Sequence, residues 1–403
     1  MQSADILIIG GGIVGLSIAR ELKKNHRIDK VIVIEKEPTL GRHASGRNSG
    51  VLHSGIYYPS GSLKAQLCAQ GAQEMAHYHH EHCLPLDRRG KVLVAVAEND
   101  RSQLELLMRR ARENGVVAEL LDQKQLRDLE PEARSACGSA LWIPSTSVGS
   151  PGSVLETMSN EIVRLGIEIK YSACVTRYNI ESKVVTLDNG DSISYGHLVN
   201  AAGLHADSVA HMCGVGHRYT LLPFKGMYWK LSQDSGLNVR HLIYPVPDLN
   251  VPFLGVHTTT TTDGEIFLGP TAVPALAREN YHGLHGVTFG EMTRIIGLLS
   301  KQMMYGQQGF RSLAWQEGRR YFKRWFADAA RSILPRLKDE HLLPSRKVGI
   351  RAQILDKHTG ELVTDFLVER GASSTHILNA ISPAWTSAFS FSRYVCSQFI
   401  VRS

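Results

Sequence analysis

Two short apolar runs, Ile6-Leu7-Ile8-Ile9 and Val31-Ile32-Val33-Ile34, stand out near the start of the chain. Unbroken runs of this length predict parallel strands buried on both faces. Between them, residues 16–22 (Leu-Ser-Ile-Ala-Arg-Glu-Leu) read as a helix with small residues where it must lie against a sheet. Further on, the pattern predicts a strand over 90–96, a charged helix over 103–114 and a helix over 154–165. Strands follow over 168–171 and 183–187. Asp188-Asn189-Gly190-Asp191, set between apolar runs, is a hairpin signal. Residues 227–230, 255–262 and 265–268 read as antiparallel strands, the last two joined by Asp263-Gly264. The five-threonine run 258–262 fits β-branched strand filler. No repeat with a period of roughly 20–50 residues appears.

The segment between the first two strands carries the chemistry. Gly10-Gly11-Gly12-Ile13-Val14-Gly15 places G-x-G-x-x-G directly after a strand and at the start of a helix, and the second strand ends in Glu35. Gly10 permits the tight turn, Gly12 lets the backbone approach a diphosphate, and Gly15 allows close helix–strand packing. The free N–H groups of the helix N-terminus, including those of Ile13 and Val14, favour a diphosphate, and the Glu35 carboxylate suits ribose hydroxyls. Strand, turn, helix, second strand and acid together predict a dinucleotide site. After the acid and Lys36, a plain NAD domain would continue in regular strand–helix units. This chain enters a polar, glycine-spaced loop, 41–50, containing Arg47-Asn48-Ser49-Gly50. A later apolar strand ends in the small turn Ala201-Ala202-Gly203. That pattern is typical of FAD domains interrupted by a substrate domain.

Composition narrows the setting. The 403 residues include 45 Lys+Arg and 38 Asp+Glu, a net +7, with 43% hydrophobic and 21% charged residues. These proportions exclude disordered, collagenous and coiled-coil chains. No apolar run reaches the roughly 18 residues of a membrane span, and the N-terminus lacks the features of a signal peptide. Six scattered cysteines without CxxC spacing fit reduced thiols in a cytoplasmic protein, most of them core fillers.

Several blocks resemble the L-2-hydroxyglutarate dehydrogenase (oxidase) family of the D-amino-acid-oxidase-like superfamily. They are Asn48-Ser49-Gly50-Val51-Leu52-His53-Ser54-Gly55-Ile56-Tyr57-Tyr58-Pro59, Leu242-Ile243-Tyr244-Pro245-Val246-Pro247-Asp248 and Pro252-Phe253-Leu254-Gly255-Val256-His257. Phe267-Leu268-Gly269-Pro270, Gly349-Ile350-Arg351-Ala352-Gln353 and Ser382-Pro383-Ala384-Trp385-Thr386-Ser387 complete them. The resemblance runs from about residue 4 to 395. Arg47 stands where a His is usual, Trp385 where a small residue is usual, and Val148-Gly149-Ser150-Pro151 replaces Gly-Ile-Val-Asp.

The resemblance implies an α/β chain with a discontinuous Rossmann-like FAD-binding domain (1–85, 145–215 and 345–403) and an antiparallel-sheet α+β substrate domain (86–144 and 216–344). It implies FAD as cofactor. Beyond Gly10, Gly12, Ile13, Val14, Gly15 and Glu35, it places FAD against Lys36, Arg47, Asn48, Ser49, Gly50, Val175, Ala201, Ala202, Gly203, Ser382, Pro383 and Ala384. The implied reaction oxidises L-2-hydroxyglutarate to 2-oxoglutarate, by hydride transfer from the α-carbon to flavin N5. The electron acceptor is then oxygen, a quinone or a carrier protein.

Oxidising a 2-hydroxy acid needs a cation for the carboxylate and a base for the hydroxyl proton. Arg351 suits the first role, because a guanidinium grips a carboxylate in bidentate fashion. For the base, a group titrating near neutrality favours His, with His257 and His53 as the two candidates inside the family blocks. A dicarboxylate needs a second clamp, for which Tyr57, Lys64, Lys225 and Tyr244 are the candidates.

Other features point elsewhere. His77-Tyr78-His79-His80-Glu81-His82 has metal-like spacing on a helix, read as a solvated face with no metal bound. Residues 319–338 mix basic and aromatic side chains. Phe322, Trp325, Phe326, Ala329 and Ile333 fall on one predicted helical face that packs on the substrate sheet or docks on the inner face of an anionic membrane. Nucleic acid is excluded, because the basic residues form no stripe. Competing functions are a flavin oxidase of an amino acid or another hydroxy acid, and a non-catalytic protein that keeps the fold as a scaffold.

Overall fold

A computed structural model describes residues 1–249, 253–305 and 310–401. Pro252, within one of the family blocks, lies outside the described residues. Strand Gln2–Ile9 forms the centre of an eight-stranded sheet, flanked in parallel by Val31–Ile34 and Ser192–Asn200. Glu168–Lys170 extends the sheet beside Val31–Ile34, and Ser374–Asn379 lies parallel to the end of Ser192–Asn200. Ile6 and Ile8 face a core shared with helices Ile13–Asn25, Leu63–Glu81, Pro151–Arg164 and Ala388–Val395. Leu7 and Ile9 face the opposite core, with Ile32, Ile34, Leu198 and Val209. Burial on both faces explains the unbroken apolar runs, each fully buried Ile or Leu contributing roughly 1.5–3 kcal/mol.

Register then positions the site. Ile9 pairs with both Ile34 and Asn200, so all three strands end at one level. Gly10, Glu35 and Ala201 therefore emerge side by side at the carboxyl edge, the ligand-binding edge of open α/β sheets.

A five-stranded antiparallel sheet faces this edge. Its spine is the long pair Tyr219–Leu231 and Leu342–Asp356, in which Arg351 lies opposite Phe224. The expected domain boundary at 345 falls inside the second of these strands. His257–Thr260 and Ile266–Gly269 form the expected hairpin, with Gly264 at φ +86 in its turn. The threonine run is strand only as far as Thr260, and residues 253–256 precede the strand instead of belonging to it. A third sheet carries Leu242–Pro245, parallel to Lys91–Val94. The hairpin predicted around Asn189-Gly190 joins Val184–Leu187 to Ser192–Asn200. Strand Val175–Asn179, which pairs with Val184–Leu187, was not anticipated.

Two expectations change. The face proposed for 322–333 divides: Phe326, Ala330, Ile333 and Leu334 are buried, whereas Phe322 and Trp325 point outward. Helix Lys323–Arg331 is too short to keep all five expected positions on one stripe, and Phe322 is its N-cap. The cysteines also divide, with Cys68 and Cys396 buried but Cys83 and Cys174 exposed.

Candidate active site

A cavity of about 650 Å³ runs from the carboxyl edge of the large sheet to the face of the antiparallel sheet. At its first end, Gly10 adopts φ +110, and a Cβ there would lie 2.4 Å from the Ala201 carbonyl. A Cβ on Gly15 would lie 2.0 Å from the Gly10 carbonyl. The two glycines therefore let turn, helix and neighbouring strand approach. Helix Ile13–Asn25 begins at Gly12 with no side-chain cap and no acid in its first turn. The N–H groups beyond Ile13 stay available to an anion. Ser45 Oγ, which the sequence did not flag, accepts from the Ile13 N–H at 2.9 Å and fastens the polar loop to the helix start. Glu35 accepts from the backbone N–H groups of Gly11 and Glu37, both at 2.9 Å, and still faces the cavity.

Gly10, Gly12, Ile13, Val14, Glu35, Lys36, Arg47, Asn48 and Ser49 line this cavity, as do Val175, Ala201, Ala202, Gly203, Ser382, Pro383 and Ala384. Gly15 and Gly50 are packing positions behind the wall, and a Cβ on Gly50 would lie 2.2 Å from the Gly149 carbonyl. Lys36 is paired with Glu37 at 2.5 Å and Glu279 at 2.7 Å. Arg47 donates to the Arg42 carbonyl at 2.6 Å and stacks 4.2 Å from the Tyr281 ring centroid. Asn48 holds its loop through the Ser45 carbonyl at 2.7 Å. Trp385 borders the cavity, its buried indole N–H without a partner.

At the second end stand Arg351, His257, His53 and Tyr228. The Arg351 guanidinium lies 5.2 Å over Phe253 and forms no ion pair with a described residue. Burial pulls its pKa below the ordinary value, yet a guanidinium stays charged. His257 donates from Nδ1 to the Gly255 carbonyl at 2.8 Å. A carbonyl can only accept, so the proton belongs on Nδ1 and Nε2 is left as an acceptor. The ring stacks on Tyr244 with centroids 3.8 Å apart. Burial, with Arg351 and Lys91 nearby, lowers the His257 pKa to about 3. Burial, with Lys91, His257 and Arg351 adding to it, does the same to His53. Neither histidine titrates near neutrality, as sequence reasoning had expected of the base. Desolvation outweighs the intrinsic basicity of imidazole.

The four candidate clamps do not reach the cavity wall. Tyr244 and Tyr57 are buried one layer behind it. Lys225 donates to Asn280 Oδ1 at 3.1 Å. The Lys64 ammonium lies near the Tyr58 and Phe366 rings, its pKa lowered to about 8 by burial. Sequence reasoning missed Tyr228, hidden in a strand of mixed aromatic and basic residues, and Lys91, read only as part of a strand. The histidine-rich stretch splits: His79 turns inward, its Nδ1 at 2.8 Å from the Met75 carbonyl, while His77 and His80 are exposed.

Residues 5–398 match the FAD dependent oxidoreductase family. The L-2-hydroxyglutarate dehydrogenase of Indibacter alkaliphilus is 34% identical, over 98% of this chain and 99% of its own length. That of Escherichia coli K12 is 33% identical, over 98% and 92%. The chain belongs to the L-2-hydroxyglutarate dehydrogenase family of FAD-dependent oxidoreductases. The FAD-bound L-α-glycerophosphate oxidase of Mycoplasma pneumoniae shares its fold, with a TM-score of 0.77 at 21% identity over 98% of this chain and 94% of the other. Glycine oxidase of Geobacillus kaustophilus does so at 0.70 and 16%, over 98% and 94%. FAD is the cofactor of this family member, and the residues fit it. The glycine cradle, the helix start with no acid in its first turn and the elongated cavity suit a dinucleotide, while the Trp385 N–H, without a partner among the described residues, borders its inner part.

Proposed function

We propose that this dehydrogenase oxidises L-2-hydroxyglutarate to 2-oxoglutarate. The observation that carries the reading is the pairing, on one wall of the cofactor cavity, of an ion-pair-free Arg351 with a His257 whose Nε2 is an open acceptor. Arg351 receives the substrate's 1-carboxylate in bidentate contact and fixes the α-carbon. His257 Nε2 takes the hydroxyl proton as the α-hydrogen leaves as hydride. Bound FAD supplies the two-electron acceptor for that hydride. The bound carboxylate offsets the Arg351 charge that depresses His257, which raises its basicity when substrate is present. His53, beside it, is the second candidate for the proton. Turn 10–15, Glu35 and loop 44–49 hold the adenosine diphosphate half.

Anaerobic flavin bleaching across a substrate panel tests the reading. L-2-hydroxyglutarate should bleach the flavin and amino acids should not. Bleaching by an amino acid alone would assign the site to an amino-acid oxidase.

The electron acceptor, a quinone or oxygen, bears on a surface feature. No helix among the described residues is long and apolar enough to cross a membrane. Trp315, Tyr321, Phe322 and Trp325 are exposed together, with the Arg319 guanidinium 4.7 Å over Trp325. This aromatic and basic surface supports peripheral docking on an anionic membrane, where a quinone would be the acceptor. Co-sedimentation with phosphatidylglycerol vesicles, lost in Phe322→Ser/Trp325→Ser, is the expected result. Equal sedimentation with neutral vesicles would refute the electrostatic part.

A further inference from the structure

Behind His53 and His257 lies a lysine that the reaction so far leaves idle. Lys91 opens strand Lys91–Val94, between Ile143 of one neighbour and Leu242 of the other. Alternation along the strand sends Val92 and Val94 to one core and Leu93 to another, packed with Tyr57 and Tyr244. Lys91 shares the Leu93 face, so an ammonium occupies a position the pattern reserves for an aliphatic group. It is fully buried. Among the described residues its Nζ has no hydrogen-bond partner, and it lies 4.6 Å from the Tyr57 ring centroid and 5.3 Å from that of Tyr244.

An ammonium in such a place needs an anion. No carboxylate among the described residues favours its charge, and the one group that does, the Cys68 thiol, is itself buried, its pKa pushed up to about 12. Burial accordingly lowers the Lys91 pKa to about 7. Two ring faces soften this but leave the N–H donors unused. Other polar atoms in the same region are buried and unpartnered: the Tyr57 hydroxyl, His53 Nδ1 and Ser54 Oγ. His53 and His257 both feel the Lys91 charge and both stand on the cavity wall. Lys91 and Tyr57 do not themselves line the cavity: they lie one layer behind it, Lys91 against the Tyr244 ring that stacks on His257.

We propose that Lys91 seats the second carboxylate of a dicarboxylate substrate whose first carboxylate lies on Arg351, with the Tyr57 hydroxyl as an added donor. The proposal rests on the hydroxy-acid reading above and sharpens it, because it makes dicarboxylate preference a property of one side chain. Lys64 and Lys225, the lysine candidates from the sequence, have other contacts, and it is Lys91 whose charge acts on both histidines.

The test compares L-2-hydroxyglutarate with L-2-hydroxyvalerate, its analogue with a methyl in place of the distal carboxylate. Flavin reduction is followed in holoenzyme and in Lys91→Met, with flavin content reporting the fold. Lys91→Met should lower the kcat/KM ratio of the two substrates by about 100-fold, the scale for removing one partner of a buried charge contact. Lys91→Arg should restore part of it. An unchanged ratio in a wild type that turns over L-2-hydroxyglutarate would overturn the Lys91 seat alone. A wild type that leaves its flavin oxidised with L-2-hydroxyglutarate would overturn the substrate reading and the seat together. If Lys91→Met loses flavin, wild-type binding decides. Glutarate should perturb the flavin spectrum at a Kd about 100-fold below that of valerate, and equal affinities would overturn the proposal.

Discussion

His257 yields a stringent prediction, because its surroundings set both its tautomer and its basicity. The Nδ1–H is committed to Gly255, and burial beside two cations takes the pKa from 6.5 to about 3. Desolvation therefore weights the site strongly against protonation. At pH 5 an ordinary histidine is about 97% protonated, whereas His257 is protonated to about 1%. A base with the ordinary value would cut kcat/KM about 25-fold between pH 7 and pH 5, since that parameter reports the free enzyme. The structure predicts a change below about threefold over the same span. Anaerobic stopped-flow reduction of the flavin by L-2-hydroxyglutarate, at constant ionic strength, measures it. His257→Ala should keep its flavin absorbance and slow reduction by about 10²–10⁴-fold. An acid limb near pH 6.5 that vanishes in the variant would refute the desolvation argument. Undiminished reduction in the variant would refute the role of His257 itself.

Three further outcomes follow from named contacts. Arg351→Met should retain flavin and weaken 2-oxoglutarate binding by about 100-fold, read from the perturbed flavin spectrum; unchanged affinity would place the carboxylate elsewhere. A Cβ on Gly349 would lie 2.6 Å from the Arg47 carbonyl, so Gly349→Val should push the polar loop away and lower the 450 nm to 280 nm absorbance ratio. A full flavin complement in that variant would mean the loop yields freely. Acid stability gives the third. His53 and His257 have folded pKa values of about 3, and burial lowers those of His197 and His376 to about 4. These values lie below 6.5, so the unfolded chain binds more protons in acid. The stability is fully present above pH 6.5 and is lost as pH falls toward 4, by up to about 1.4 kcal/mol per unit per group. The thermal midpoint should therefore drop between pH 6.5 and 5; an unchanged midpoint would refute the burial of these rings.

The cofactor end of the site was legible because its signals are local. A turn, a helix start and a strand end lie within the first 35 residues, and parallel register alone brings Gly10, Glu35 and Ala201 together. The substrate end was legible only in part. Arg351 and the two histidines were marked by the family blocks and do line the cavity. The clamp candidates in or near those blocks do not line the cavity, because a motif shows that a residue belongs to a segment, not which way its side chain turns. Lys64 lies in the first turn of its helix, where its own backbone N–H donates to Asp365, and Lys225 turns to Asn280.

Taken alone, the sequence determined the nucleotide-binding edge and the class of cofactor, since backbone conformation and strand burial depend on near neighbours in the chain. The tertiary structure alone decided which proton His257 keeps, how weak a base it is before substrate arrives, and that Lys91 is buried with no carboxylate beside it among the described residues. Those properties come from groups distant in the chain: Arg351 beside His257, and Tyr57 and Tyr244 around Lys91. Desolvation is set by everything that packs around a group, so no local pattern of residues can encode it.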